Sequence, residues 1–234
     1  MIDIHTHILP GVDDGAVSFE DAVDMLMMAQ EAGTKKLILT PHSNQRGRFE
    51  NYCSDIRRKY EAFLQSISSI SIDIDLYLGM EIYGTEDVAE KILDGKLMGL
   101  NDSNYYLIEF PFRASSSYIL DILRQIIEIK KIPVIAHPER YSCVVQDPRV
   151  LWDWMKLGSK IQINKGSIFG TFGNRVRKTA LLLLSEGIVD YVASDCHDIE
   201  FRSPSFRNTK DYLELYYGID YAEALLGGNA MFFF

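Results

Sequence analysis

The 234 residues carry 33 acidic against 24 basic side chains, a formal charge of −9; the charge argues against nucleic acid as a partner, because a grip on phosphate backbones needs a basic footprint. With 47% hydrophobic residues the chain can bury a substantial core, yet no apolar run nears the roughly 18 to 20 residues of a membrane span, and the longest, 179–184, is cut by Ser185-Glu186. Cys53, Cys143 and Cys196 form an odd, widely spaced set that suits reduced thiols, and no basic-then-apolar leader opens the chain, so the expectation is a cytoplasmic protein.

In chain order, Asp3-Ile4-His5-Thr6-His7 ends a predicted first strand. Ser18 with Asp21 reads as a capping pair, opening a helix whose apolar face is Ala22, Leu26 and Ala29 and which stops at Gly33. A strand Lys36–Thr40 follows, then a helix over 50–68, a strand Ile72–Leu78 and a short helix Asp87–Leu93. Beyond it come strand Tyr105–Phe110, helix 117–130, strand Pro133–Ala136, helix 148–157, strand Lys160–Asn164, helix 174–186 and strand Val189–Ser194. Helices over 205–217 and 220–226 close the chain. About seven βα units without a linker predict one α/β domain over 1–234, a closed or nearly closed barrel, with a doubly wound open sheet as the alternative. The terminal Ala230-Met231-Phe232-Phe233-Phe234 is too short to anchor in a membrane; it either closes the barrel bottom or packs in a subunit contact.

The ionisable residues fall at the C-terminal ends of these strands. The ends read DIHTH, TPH, GME, IEF, AHPER, NK and SDCH, and all five histidines of the protein lie among them. Strand ends are where barrel enzymes do chemistry. Side chains two apart on a strand share a face, so His5 pairs with His7 and Asp195 with His197. Imidazoles and carboxylates converging from several strands suit more than one divalent metal, because so many acids at one mouth would be costly without cations. A single structural zinc needs only four ligands and usually favours cysteine.

HTHILPGVDDGA, LTPHSN, GMEIYG, IEFPF, AHPERY and ASDCHD, in this order across nearly the whole chain, resemble the polymerase-and-histidinol-phosphatase (PHP) superfamily. Within it they are most similar to the manganese-dependent bacterial protein-tyrosine phosphatases encoded with capsule and exopolysaccharide export genes. The resemblance implies a distorted TIM-like (β/α)7 barrel and three divalent ions, with manganese favoured and iron or zinc as alternatives. One ion would take His5, His7, Glu81 and Asp195; a second would share Glu81 and add Glu109 and His137. The third would take His42, His197 and an aspartate of Asp13-Asp14-Gly15. Matching the Asp-Gly dipeptide favours Asp14, whereas counting from the first histidine favours Asp13. The implied substrate is a phosphotyrosine protein, with a tyrosine kinase of polysaccharide export as partner and an oligomer permitted. Histidinol-phosphate phosphatase of the same superfamily is the rival reading, and a non-catalytic metal-binding scaffold is a third.

The resemblance also points to Arg140 and Arg202. Physical chemistry supports both, since each lies within a few residues of a candidate ligand and guanidinium forks match phosphate oxygens. The expected reaction is direct hydrolysis by a metal-bound hydroxide, with His42 or a bound water able to protonate the leaving group. Two cysteine motifs, Cys143-x5-Arg149 and Cys196-x5-Arg202, imitate a thiol phosphatase, but neither loop is glycine-rich. One contains Pro148, the other Asp198 and Glu200, and both features oppose a phosphate cradle.

Overall fold

The computed structural model describes residues 1–234. In chain order its elements are β1 (Ile2–Thr6), α1 (Phe19–Glu31), β2 (Lys36–Leu39), β3 (His42–Ser43), α2 (Cys53–Ile67), β4 (Asp75–Leu78), β5 (Glu81–Tyr83) and α3 (Val88–Leu93). There follow β6 (Tyr105–Glu109), α4 (Ser116–Glu128), β7 (Ile132–Ala136), α5 (Ser142–Gln146), α6 (Val150–Lys156), β8 (Lys160–Asn164), α7 (Lys165–Phe169), α8 (Asn174–Ser185), β9 (Tyr191–Ala193), α9 (Arg207–Tyr217) and α10 (Ile219–Glu223). Every strand pairing is parallel.

Two sheets, β1-β2-β4 and β3-β5-β6-β7-β8-β9, are joined where β2 runs on into β3 and β4 into β5. β3 prolongs β2 across Thr40-Pro41, where proline supplies no N–H to the ladder, and β5 prolongs β4 across Gly79-Met80. Counting each broken pair as one strand leaves the seven that the sequence predicts, laid side by side in chain order. Gly79 suits its break, because a Cβ there would sit 3.1 to 3.2 Å from Ile38 and Leu100 and push those neighbours aside. The seam between β1 and β9 is bonded mainly at its upper end, by Asp195 N to His5 O (2.9 Å) and His7 N to Cys196 O (3.0 Å). That partial seam is the distortion of the barrel.

Period-2 alternation sorts the strand residues. Ile2, Ile4, Ile38, Leu107, Val134, Ala136 and Ala193 point inward and pack with Leu100, Ala230 and Phe233 at the barrel bottom. Leu37, Leu39, Ile108, Ile135, Ile161 and Ile163 point outward beneath the helices. Phe233 lies against Tyr105 and Tyr191, with ring centroids 5.0 and 5.3 Å away, so the terminal run closes the bottom. Phe232 beside it is exposed.

The capping box of α1 is present, with Ser18 accepting from Asp21 N and the Asp21 carboxylate accepting from Ser18 N. Other boundaries differ from expectation. Strand Ile72–Leu78 starts only at Asp75, and Val189–Ser194 shrinks to Tyr191–Ala193 because the chain turns away at Asp195, φ +51°. The helix expected over 205–217 starts at Arg207, and that over 220–226 gives way after Glu223 to a wider turn, Ala224–Gly228. α5 and α7 occupy stretches that read as loop; each is only five residues, too short to show a helical period.

Candidate metal centre

All the expected ligands meet above the barrel interior. The pairing of β1 is irregular between Asp3 and Thr6, so His5 faces the cluster although Ile4 points inward too; His7 follows just past the strand, with the two Nε2 atoms 3.2 Å apart. Glu81, the first residue of β5, sets Oε2 3.2 Å from both nitrogens. Asp195 Oδ1 lies 3.3 Å from His5 Nε2 and 3.4 Å from His7 Nε2. These four side chains are almost wholly buried and form one compact ligand group.

A second group adjoins it. His137 Nε2 is 3.1 Å from Glu81 Oε1 and 3.7 Å from Glu109 Oε1, while His42 Nδ1 is 2.9 Å from Glu81 Oε2. His7, His42 and His197 make a third. Asp14 Oδ1 faces it, 3.4 Å from His42 Nε2 and 3.5 Å from His197 Nε2. Asp13 turns the other way: its Oδ2 accepts from His7 Nδ1 (2.8 Å) and His42 N (2.9 Å). Of the two aspartates left open by the sequence, Asp14 thus faces the cluster and Asp13 orients one of its imidazoles.

Asp195 and His197 converge for a different reason than the sequence suggested. β9 ends at Ala193, and a left-handed residue at Asp195, not strand alternation, aims the side chains. His137 is left-handed as well, φ +35°. Non-glycine residues held there cost about 1 to 3 kcal/mol and concentrate at functional sites.

Do these residues fit metal ions? Glu81 Oε2, Asp195 Oδ1 and His197 Nε2 are buried and make no directed hydrogen bond despite their near neighbours. Donor atoms that face shared points rather than each other are what divalent cations require. The electrostatics agree. Burial alone would raise Glu81 and Asp195, but His5 with His42 holds the first well below the usual carboxylate range, and His5 with Arg202 does so for the second. Hydrogen bonds from His197 and His42 lower Asp14. Burial pushes His137 down to about 4, and burial with the His7 charge does the same to His197. His42 is held at about 10, because Glu81 and Asp14 outweigh its burial. Glu109, buried beside Glu81, is pushed up to about 8. The donor set therefore combines ionised acids with two imidazoles that burial keeps neutral, His137 and His197. It adds His5, His7 and His42, whose neighbouring acids hold them above the usual imidazole range despite burial and whose proton a cation would displace, and one acid, Glu109, whose ionisation a cation would favour.

A cavity of about 540 Å³ opens above the cluster, bordered by Arg48, Arg113, Arg140 and Arg202. Arg140 is sandwiched between rings, 4.5 Å from the Phe112 centroid and 4.2 Å from that of Phe172. Arg202 Nε donates to Asp195 O at 3.1 Å. Its loop is fastened by Asp198 Oδ1, which accepts from the amides of Glu200, Phe201 and Arg202. Two arginines fixed beside a carboxylate and imidazole cluster make a site for an anionic ester. Arg46 lies outside this lining, whereas Arg48 bonds Asp14 at 2.9 Å.

Neither cysteine of the imitating motifs borders the cavity. Cys196 is fully buried, its thiol pushed up to about 12 chiefly by burial, and burial also raises Cys143 on α5. Missing from the expected set are Gln162 and Asn164 on β8. Both are buried, with Gln162 Oε1 2.9 Å from His5 Nδ1 and Asn164 Nδ2 donating to Asp195 Oδ2. Their signal was two amides alternating with Ile161 and Ile163, which places polar groups inside a barrel.

The chain matches, over residues 1–234, the family described as "Capsular polysaccharide synthesis, CpsB/CapC". The tyrosine-protein phosphatase YwqE of Bacillus subtilis is 32% identical over 99% of this chain and 94% of its own. The tyrosine-protein phosphatase CpsB of Streptococcus pneumoniae is 32% identical over 98% and 96%. A crystal structure from work on those two proteins, which it calls metal-dependent tyrosine phosphatases, matches with a TM-score of 0.93 at 31% identity, covering 100% of this chain and 94% of that one. The chain belongs to the CpsB/CapC family.

Proposed function

We propose that this CpsB/CapC family member is a metal-dependent protein-tyrosine phosphatase, a single domain over 1–234 that removes phosphate from tyrosine in proteins governing capsular or exopolysaccharide synthesis and export. The observation that carries this reading is the convergence of His5, His7, Glu81 and Asp195, buried and partly unbonded, directly below Arg140 and Arg202. The named relatives, tyrosine-protein phosphatases, support the substrate class. A tyrosine kinase of the export system is the partner we infer. No helix is long and apolar enough to cross a membrane, in keeping with an inferred cytoplasmic site of action.

Three ions, with manganese favoured, are assigned to His5, His7, Glu81 and Asp195; to Glu81, Glu109 and His137; and to His42, His197 and Asp14. Divalent ions there would lower the pKa of water and neutralise charge on the phosphoryl group. The chain's own residues do the rest. Arg140 and Arg202 hold the non-bridging oxygens, and the Phe112–Phe172 sandwich keeps the Arg140 fork at the mouth. Both His42 nitrogens already face acids, which favours its ligand role over that of proton donor. Strong proton donation is in any case less needed here, because a phenol of pKa about 10 leaves more easily than an alcohol. The cavity volume of about 540 Å³ and the adjoining Tyr83 and Phe112 side chains leave room for an aryl group.

The test is hydrolysis of a phosphotyrosine peptide, run beside histidinol phosphate. Chelation is expected to abolish peptide turnover and manganese to restore it, with Cys143→Ser and Cys196→Ser as active as the native chain. Chelator-resistant turnover that fails in either serine variant would overturn the proposal. Preference for histidinol phosphate would move the substrate to the rival reading.

A further inference from the structure

Four buried polar side chains, from three different strands or strand ends, form one continuous file inside the barrel. His5 Nδ1 lies 2.9 Å from Gln162 Oε1, Gln162 Nε2 donates to Asn164 Oδ1 at 2.9 Å, and Asn164 Nδ2 donates to Asp195 Oδ2. All four are at most 1% exposed, so water does not compete. Gln162 and Asn164 lie two apart on β8 and share its inward face, between β7 and β9.

The chemistry of the groups fixes the direction of every bond. Asp195 pairs through Oδ2 with Arg202 Nη2 at 2.5 Å and Arg140 Nη1 at 3.4 Å, so its carboxylate is the acceptor. Asn164 must therefore turn its NH2 toward Asp195 and its oxygen toward Gln162. Gln162 must in turn present its NH2 to that oxygen, leaving its own oxygen for His5. An oxygen facing Nδ1 makes Nδ1 the protonated nitrogen, which leaves Nε2 with a lone pair aimed at Glu81 Oε2 and Asp195 Oδ1. At the far end the same file shares Asp195 Oδ2 with Arg202 and Arg140, so Oδ1, which has no directed hydrogen bond, is the oxygen left facing the cluster.

We infer that Gln162 and Asn164 are positioning residues, a two-amide relay that sets the His5 tautomer and the donor oxygen of Asp195 in register with each other. The inference rests on the assignment of His5 and Asp195 as ligands of one ion. It differs from the usual arrangement, in which each ligating histidine has its own carboxylate or carbonyl partner. Asp13 serves His7 in that usual way. In the relay a single file orients two ligands at once, so disturbing either amide disturbs both.

The decisive experiment titrates metal-free native protein, Gln162→Met and Asn164→Ala with manganese, following free ion by electron paramagnetic resonance. Metal binding by the native chain tests the ligand assignment, and the difference between native and variants tests the relay. Each variant is expected to lose about 10- to 100-fold in affinity at the tightest affected site, the range for removing a partner behind a ligand. The double variant should lose no more than about the larger single loss, because both amides act in one file. Gln162→Glu, which keeps an acceptor for Nδ1, should retain His5 binding better than Gln162→Met. Long-range proton–nitrogen spectra of the zinc-saturated native protein should show His5 protonated at Nδ1. Unchanged affinity in both variants, additive losses, or His5 protonated at Nε2 would overturn the relay. A role confined to packing would lower the melting temperature and leave affinity and tautomer as they were.

Discussion

The two rims of this barrel are made by the same strands and share almost nothing else. At the lower rim Ile2, Leu100, Tyr105, Tyr191 and Phe233 close an apolar plug in ordinary packing. At the upper rim the same strands end in imidazoles and carboxylates, and buried donor atoms there make no directed bonds. One end is arranged for stability and the other carries features costly to stability, the division expected of barrel enzymes. The two rims should consequently fail in opposite ways when altered.

The largest effect is expected from Asp195→Asn at the upper rim. It should lower kcat/KM by about 10³-fold or more, since ion chemistry contributes several kcal/mol. Thermal melts of the chelated protein should show a smaller loss of stability than Phe233→Ala causes, while the rise in melting temperature that manganese gives the native chain disappears. A collapse of the metal-free fold would erase the contrast between the rims. Phe233→Ala should do the reverse, costing about 3 to 5 kcal/mol in urea unfolding while leaving kcat per folded molecule unchanged. Arg202→Ala comes next, with a loss of about 10² to 10³ in kcat, the scale for removing one preorganised donor. Smallest is Asp13→Asn, expected to weaken manganese binding about 10-fold through His7; Asp14→Asn should weaken it more, and the opposite order would reverse the two aspartates' roles.

How much of this could be read from the residues follows from the range of the forces involved. The seven strands and their polar ends were legible because His5, Glu81, His137 and Asp195 interrupt apolar runs at a fixed place in each βα unit. The Asp13–Asp14 choice was not, because neighbouring carboxylates diverge only through the turn that Gly15 makes, where a Cβ would sit 2.0 Å from His7 O. The aim of Asp195 was credited to strand alternation, whereas a local left-handed turn supplies it. The clamp on Arg140 joins Phe112 and Phe172, 60 residues apart in the chain, and no local pattern announces such a pair. Asn164 was legible only as a strand end and Gln162 not at all, because uncharged amides alternating on β8 carry no charge to mark them beside so many acids.

The most direct measurement is anomalous diffraction from crystals of the native chain equilibrated with manganese. Peaks at the manganese edge are expected among His5, His7, Glu81 and Asp195, with further peaks beside His137 with Glu109 and beside His197 with Asp14. An upper rim that shows no anomalous peak at saturating manganese would contradict the assignment of these side chains to metal.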